Sequence, residues 1–279
     1  MLAQLLDGKQ LATKIRSKVK AMIATLPSRP GMVAILVGND PASHLYVSLK
    51  EKACEEVSIR FEKFLYPSSI STDDLVAKIN ELNHRAEIHG ILVQFPLPSQ
   101  DEDRVVQAID PLKDIDGFHP ENIRRLGAGE PGLVPPVALG IMKLIDATGV
   151  DVRNKTAQLI CSEFFARPLM VLLKERGIKS VNYPVTQLLN YSNADILIVA
   201  LGKPHSIKAN QVKPGAIVID VGTTKTPEGL LGDVDPSVAK IAGFLTPVPG
   251  GVGPMTVALL TLNVVKAMRL QLAGQDSTQ

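Results

Sequence analysis

Tryptophan is absent from this chain of 279 residues, which has only four tyrosines and seven phenylalanines. So few aromatic residues argue against a stacking platform for single-stranded nucleic acid. An excess of one charge is lacking too: 30 Lys and Arg face 28 Asp and Glu, a net charge of +2. No strong field therefore draws the chain to nucleic acid or to a membrane surface. Cysteine is scarce. Cys54 and Cys161 lie far apart and fit a reducing compartment better than a disulfide framework. His44, His119 and His205 have no partner at metal-ligand spacing, so no metal site is expected. There is no Walker A loop and no elbow serine. Met1–Asp7 has no basic region and too short an apolar run for a signal peptide, and no uninterrupted apolar segment reaches the length of a membrane span. The expectation is a soluble cytoplasmic protein with no membrane partner.

What is present is 45% hydrophobic residues, enough to bury sizeable cores, and a length that suits two domains. The chain alternates. A helical pattern over 8–26 precedes an apolar strand at Met32–Val37 and a turn at Gly38-Asn39-Asp40-Pro41. A helix over 43–57, a strand over 59–65, a helix capped by Thr72 and a strand from Gly90 to the prolines Pro96 and Pro98 follow. Residues 111–126 read as a loop with Asp114, Asp116 and His119, and the glycines and prolines of 127–136 suit a boundary. After a helix over 136–147, strands at 157–161, 180–183, 196–200, 216–221 and 243–245 alternate with helices near 167–176 and 185–191. That order predicts an α/β fold with a parallel sheet in each domain, the second Rossmann-like. Three glycines and three prolines in 246–256 exclude ordinary helix or strand there. They suit either a backbone nest close to a ligand or a rigid linker. An amphipathic helix over 257–269 and a disordered polar tail over 273–279 close the chain.

Tyr46 and Lys50, four residues apart on one helix face just past a strand's carboxyl end, sit where α/β sheets place ligands. A solvated helix face would carry the same pair. Gln94 at the end of its strand points either into a cleft or into solvent, and Asp116 beside a glycine is either a ligand or a turn former.

Five stretches together resemble the methylenetetrahydrofolate dehydrogenase/methenyltetrahydrofolate cyclohydrolase family. They are Val-Gly-Asn-Asp-Pro-Ala-Ser-x-x-Tyr-Val-x-x-Lys at 37–50, Val-Gln-Phe-Pro-Leu-Pro at 93–98, Lys-Asp-Ile-Asp-Gly-Phe-His-Pro at 113–120, Gly-Ala-Ile-Val-Ile-Asp-Val-Gly at 215–222 and Thr-Pro-Val-Pro-Gly-Gly-Val-Gly-Pro-Met-Thr at 246–256. They occur in the family's order and cover nearly the whole chain. The resemblance implies a folate-binding catalytic domain over 1–120, completed by a C-terminal helix in 254–279, and a dinucleotide-binding domain over 121–253. It implies hydrolysis of methenyltetrahydrofolate and NADP-dependent oxidation of methylenetetrahydrofolate in one cleft, by a homodimer. Lys50 resembles the catalytic lysine, with Gln94 bonded to it. Tyr46 would stack on the substrate, and Asp116 would accept hydrogen bonds from the pterin. Val47, Ser48, Leu49, Val93, Phe95, Pro249, Gly250, Gly251, Val252 and Gly253 would line the folate.

Departures from the family pattern all lie on the cofactor side. Cys161-Ser162-Glu163 opens a turn that is one residue shorter than the family's and lacks its two glycines and early arginine, so a pyrophosphate is approached less closely. Glu163 adds an anion there. Tyr183-Pro184 replaces a His-Ser pair, and Thr223 replaces an isoleucine after Gly222. Pro135-Pro136-Val137 lacks a threonine hydroxyl. Cys161, Ser162, Glu163 and Thr223 are the expected cofactor contacts, with NADP, NAD or no dinucleotide all open. A cyclohydrolase without cofactor binding, and a non-catalytic folate-binding subunit, are the rival readings. The lysine argues against the second, since binding alone does not need it.

Overall fold

Apolar runs and helical periodicities alternate along the chain, and the computed structural model turns them into alternating strands and helices. It describes residues 2–183, 191, 193–227 and 229–276. In chain order these form β1 (Gln4–Leu5), α1 (Gly8–Ile23), β2 (Gly31–Val37), α2 (Pro41–Val57), β3 (Arg60–Tyr66), α3 (Thr72–Asn83), β4 (Gly90–Val93), α4 (Glu102–Ala108), α5 (Pro120–Ala128) and α6 (Pro136–Asp146). Then come β5 (Thr156–Ile160), α7 (Glu163–Glu175), β6 (Lys179–Tyr183), β7 (Ile196–Val199), β8 (Ile217–Asp220), β9 (Thr224–Thr226), β10 (Gly229–Leu231), β11 (Phe244–Leu245) and α8 (Val252–Asp276). Pro184 and most of the expected helix over 185–191 lie outside the described residues, as does the end of the tail, 277–279.

Two units make up the chain. The first comprises Thr13–Pro136 and Val257–Gln279, the second Met1–Ala12 and Val137–Thr256. The expected boundaries at 120 and 253 differ for identifiable reasons. Asn122 on α5 bonds back to Pro111 and Asp114, which keeps α5 with the first unit. At the other end of the chain, β1 pairs with β11 and so joins the second unit.

The first unit is built on a three-stranded parallel sheet, β3-β2-β4. Every residue of β2 is buried, as befits the central strand of a sheet covered on both faces. Alternate residues feed two cores. Met32, Ala34 and Leu36 pack with Val47, Leu260 and Val264; Val33, Ile35 and Val37 pack with Leu75, Ile79 and Val105. The second unit holds a six-stranded sheet in the order β1-β11-β8-β7-β5-β6, parallel throughout. This is a doubly wound sheet whose order reverses between β5 and β7, with β1 added at the far edge.

Four local expectations change. Ser71 rather than Thr72 caps α3, because its hydroxyl accepts the Asp74 N–H at 3.0 Å. The supposed loop over 111–126 contains α5, started by His119, whose Nδ1 accepts the Glu121 N–H. Helix α7 begins at Glu163, capped by Ser162. Helix α8 begins at Val252, inside the glycine-proline run. It is not amphipathic: from Ala258 to Met268 nearly every side chain is buried. Over Val252–Gly274 it is long and apolar enough to cross a membrane, and half of its apolar stretch is buried within the protein, as in a core helix.

Candidate active site

The turn after β2 carries Gly38 at φ +82° and Asp40, whose carboxylate accepts both the N–H and the hydroxyl of Ser43 at 2.8 Å. That cap fixes the start of α2 and therefore the phase of its faces. Val47, Lys50, Cys54 and Val57 form the buried stripe. A lysine in such a stripe is unusual, and Lys50 is only 9% exposed. Its Nζ donates to Gln94 Oε1 at 2.8 Å. Gln94 follows β4 and is held at both ends: its N–H bonds to Ile35 O, and its Nε2 donates to Phe95 O at 2.8 Å. With Nε2 committed to a carbonyl, Oε1 faces the amine.

Burial pushes the Lys50 pKa down, and the Asp116 carboxylate pushes it partway back. Asp116 mirrors this, raised by burial and drawn down by Lys50. Each group thus keeps the other from being a lone buried charge, and the amine loses its proton more readily than a free lysine. Tyr46, Ser48, Gln94, Phe95 and Asp116 are half-buried, Val47 and Val93 buried, and Leu49 is 42% exposed. The structure therefore brings Lys50, Gln94 and Asp116 together, with Tyr46 one turn before Lys50 on the same helix.

Sequence reasoning passed over the scaffold of Asp116. Asp114, 2% exposed, accepts N–H bonds from Gly117 at 3.1 Å and His119 at 2.7 Å, and from Asn122 Nδ2 at 3.1 Å. Asn263, buried in α8, donates to Ile115 O and Val134 O at 2.9 Å. Gly117 has φ +72°, and a Cβ there would lie 2.6 Å from Pro135 N. An aspartate three residues before a glycine, and an asparagine inside an apolar helix, were the available signals.

Pro249–Gly253 belong to the second unit. Gly250 O accepts the Lys9 N–H at 3.1 Å, and a Cβ on Gly8 would meet Gly251 O at 1.9 Å. A Cβ on Gly251 would itself meet Thr246 Cβ at 2.7 Å. These glycines therefore answer to backbone packing within the unit, whereas nothing lies within 4 Å of a Cβ on Gly253.

At the reversal point of the six-stranded sheet, the turn after β5 is where a doubly wound fold receives a dinucleotide. Ser162 Oγ accepts the Phe165 N–H, and the amino end of the 13-residue α7 directs its positive dipole outward. On the β7 side Gly202 has φ +65° with nothing within 4 Å of a Cβ, an open approach. These features fit a dinucleotide. Against them, the turn itself has no glycine, and Glu163 stands in the first turn of α7, paired at 3.4 Å with an exposed Arg167. Cys161 is buried beside Asn182, its thiol pushed up to about 12, and Thr223 is exposed beyond β8. Behind the crevice, Asp233 gathers the amides of Leu201, Gly202 and Lys203 at 2.5–3.0 Å. Its own amide bonds to Asp220, a carboxyl pushed up to about 6 by burial.

Comparison with known sequences decides the relationship. The profile described as "Tetrahydrofolate dehydrogenase/cyclohydrolase, catalytic domain" matches residues 6–116, and that described as "Tetrahydrofolate dehydrogenase/cyclohydrolase, NAD(P)-binding domain" matches residues 135–272. The chain belongs to this family. Among the family's members, the "Bifunctional protein FolD" of Acetivibrio thermocellus is 43% identical over 281 residues, covering 97% of this chain and 99% of its own. The bifunctional FolD methylenetetrahydrofolate dehydrogenase/cyclohydrolase of Campylobacter jejuni superposes with a TM-score of 0.91 at 39% identity, covering 96% of this chain and 99% of that one. The Trypanosoma brucei family member, solved with NADP cofactor and inhibitor, superposes with a TM-score of 0.92 at 30% identity, covering 98% and 99%.

Proposed function

We propose that the chain interconverts one-carbon units on tetrahydrofolate, hydrolysing methenyltetrahydrofolate to formyltetrahydrofolate and oxidising methylenetetrahydrofolate with NADP. The observation that carries this reading is the Lys50 amine, buried, lowered in pKa and held by a neutral amide. The methenyl carbon is part of a cation, so a neutral amine beside it avoids repulsion that an ammonium would bring. Neutral Lys50 takes a proton from the attacking water as oxygen bonds to that carbon. The carbon–nitrogen bond then breaks, the ring nitrogen keeps the electron pair and takes a proton, and one proton is released overall. Gln94 aims the amine without the pKa rise that a carboxylate would cause. Asp116 accepts hydrogen bonds from the pterin, and Tyr46 stacks on the substrate.

NADP, when bound, supplies the hydride acceptor, and Cys161, Ser162, Glu163 and Thr223 are the residues that would border it. One observation favours a second reading, hydrolysis alone: the turn after β5 sets a glutamate where phosphates would lie and offers no glycine. Calorimetric titration with NADP and NAD, run beside methenyltetrahydrofolate turnover, separates the two. Binding of NADP supports both activities; turnover without binding of either dinucleotide leaves hydrolysis alone. For the shared site, Lys50→Met is expected to lower turnover at least about 100-fold while folate still binds. An equally active variant would sink the mechanism. By resemblance to the family, we also assign a cytoplasmic homodimer, which light scattering on the purified protein tests; a monomer mass would remove that assignment.

A further inference from the structure

Asp116 is the last side chain before a left-handed glycine, so its direction is set by the loop Lys113–Gly117 and not by a helix or a strand. The outer end of that loop is tied to the sheet by the Ile91 N–H donated to Lys113 O at 2.7 Å, and Ile115 O, just before Asp116, accepts the Asn263 amide of α8 at 2.9 Å. On the far side of Asp116 the path is held by Asp114. Oδ1 accepts the Gly117 N–H on the far side of Asp116, and Oδ2 accepts the His119 N–H and the Asn122 amide. Lys113, next in sequence, turns its amine away to Asn83 O and Arg85 O, so it does not pair with this carboxylate. The Asp116 carboxylate, two residues on, repels the Asp114 charge. A buried carboxylate with no ion-pair partner among the described residues is a costly way to close a turn, since the same turns close with asparagine or serine in solvent. Its advantage is geometric: two oxygens accept from three donors at once and hold the backbone that follows Asp116, as Asn263 holds Ile115 O before it.

We propose that Asp114 is a positioning residue for the folate site, holding Asp116 toward Lys50 by gathering the N–H groups that follow it. The proposal rests on the reading that Asp116 binds the pterin. It predicts a defined coupling. Asp114→Asn keeps the size of the side chain but turns one acceptor into a donor facing the His119 or Asn122 N–H. Tetrahydrofolate affinity, measured by calorimetry, is expected to fall about tenfold. KM for methenyltetrahydrofolate is expected to rise similarly, with a smaller change in kcat. In an Asp116→Ala background the same substitution is expected to cost no further affinity, because the group it positions is gone. Asn122→Ala, which removes one donor and leaves the carboxylate, should show the same pattern more weakly and serves if Asp114→Asn does not fold. Independent, additive losses in the Asp116→Ala background would overturn the proposal and leave the folate reading standing. Unchanged affinity in Asp114→Asn would do the same. Unchanged affinity in Asp116→Ala alone would overturn both.

Discussion

The turn from β2 into α2 and the turn from β5 into α7 are built alike and end differently. Each follows the carboxyl end of a parallel strand, and each starts a helix with a side-chain cap, Asp40 in one and Ser162 in the other. In the first, Gly38 takes a positive φ, and the helix then buries Lys50 against Gln94. In the second there is no glycine, and the first turn exposes Glu163 and Phe164, the glutamate meeting Arg167 in solvent. A strand-turn-helix provides a place for a ligand. What stands behind the turn decides whether that place has a fixed chemistry. A hydrogen bond from the buried Lys50 amine to the half-buried Gln94 holds it in one geometry, whereas an exposed ion pair contributes little and is screened by salt.

The contrast is open to experiment. Gly117→Ala acts on the fixed side, where the substitution meets both a left-handed φ and backbone at 2.6 Å. Together these are expected to cost about 3 kcal/mol or more of stability in urea unfolding. A loss under about 1 kcal/mol would mean the Asp116 loop is far softer than its hydrogen bonds suggest. Gln94→Glu probes the chemistry. A carboxylate beside the amine favours the charged lysine, so the Lys50 pKa rises and the neutral fraction at a given pH falls. On the proposed mechanism the rate of methenyltetrahydrofolate hydrolysis is expected to climb with pH as Lys50 loses its proton, and in this variant the climb should move upward by about one pH unit or more. A profile that stays in place would separate Lys50 from the proton transfer. Glu163→Gln probes the exposed side and has the smallest expected effect. Removing one solvent-screened anion should tighten NADP about two- to fivefold at low salt, with the gain fading at high salt. Unchanged affinity at low salt would place the phosphates away from this turn.

The sequence made the alternation legible because both its periodicities are strong, 3.6 in the helices and continuous apolar runs in buried strands such as β2. The Tyr46, Lys50 and Gln94 constellation was legible as a pattern. That Lys50 lies in the buried stripe was not, since a lysine reads as polar wherever it stands. Ser71 and Thr72 are both good caps, and only the chain's path chooses between them. Helix α5 was hidden by its own start, where His119, with Pro120 after it, looks like a turn and serves as a cap. The onset of α8 was hidden because Gly253 and Pro254 discourage a helix in its interior yet are tolerated in its first turn. The role of Asn263 rests on a contact with Ile115, distant in sequence, whereas Asp114 bonds within the following eight residues and was passed over because an aspartate before a glycine reads as an ordinary turn former.

One small element sets the timetable for making this protein. Strand β1 is two residues long, and its partners, Phe244 and Leu245, are near the other end of the chain. During synthesis Gln4 and Leu5 leave the ribosome long before Phe244 and Leu245, and until then they lack the strand they pair with. The six-stranded sheet therefore gains its β1 edge only after β11 has been made, and any nascent fragment that stops short of β11 carries a β1 segment without its partner strand.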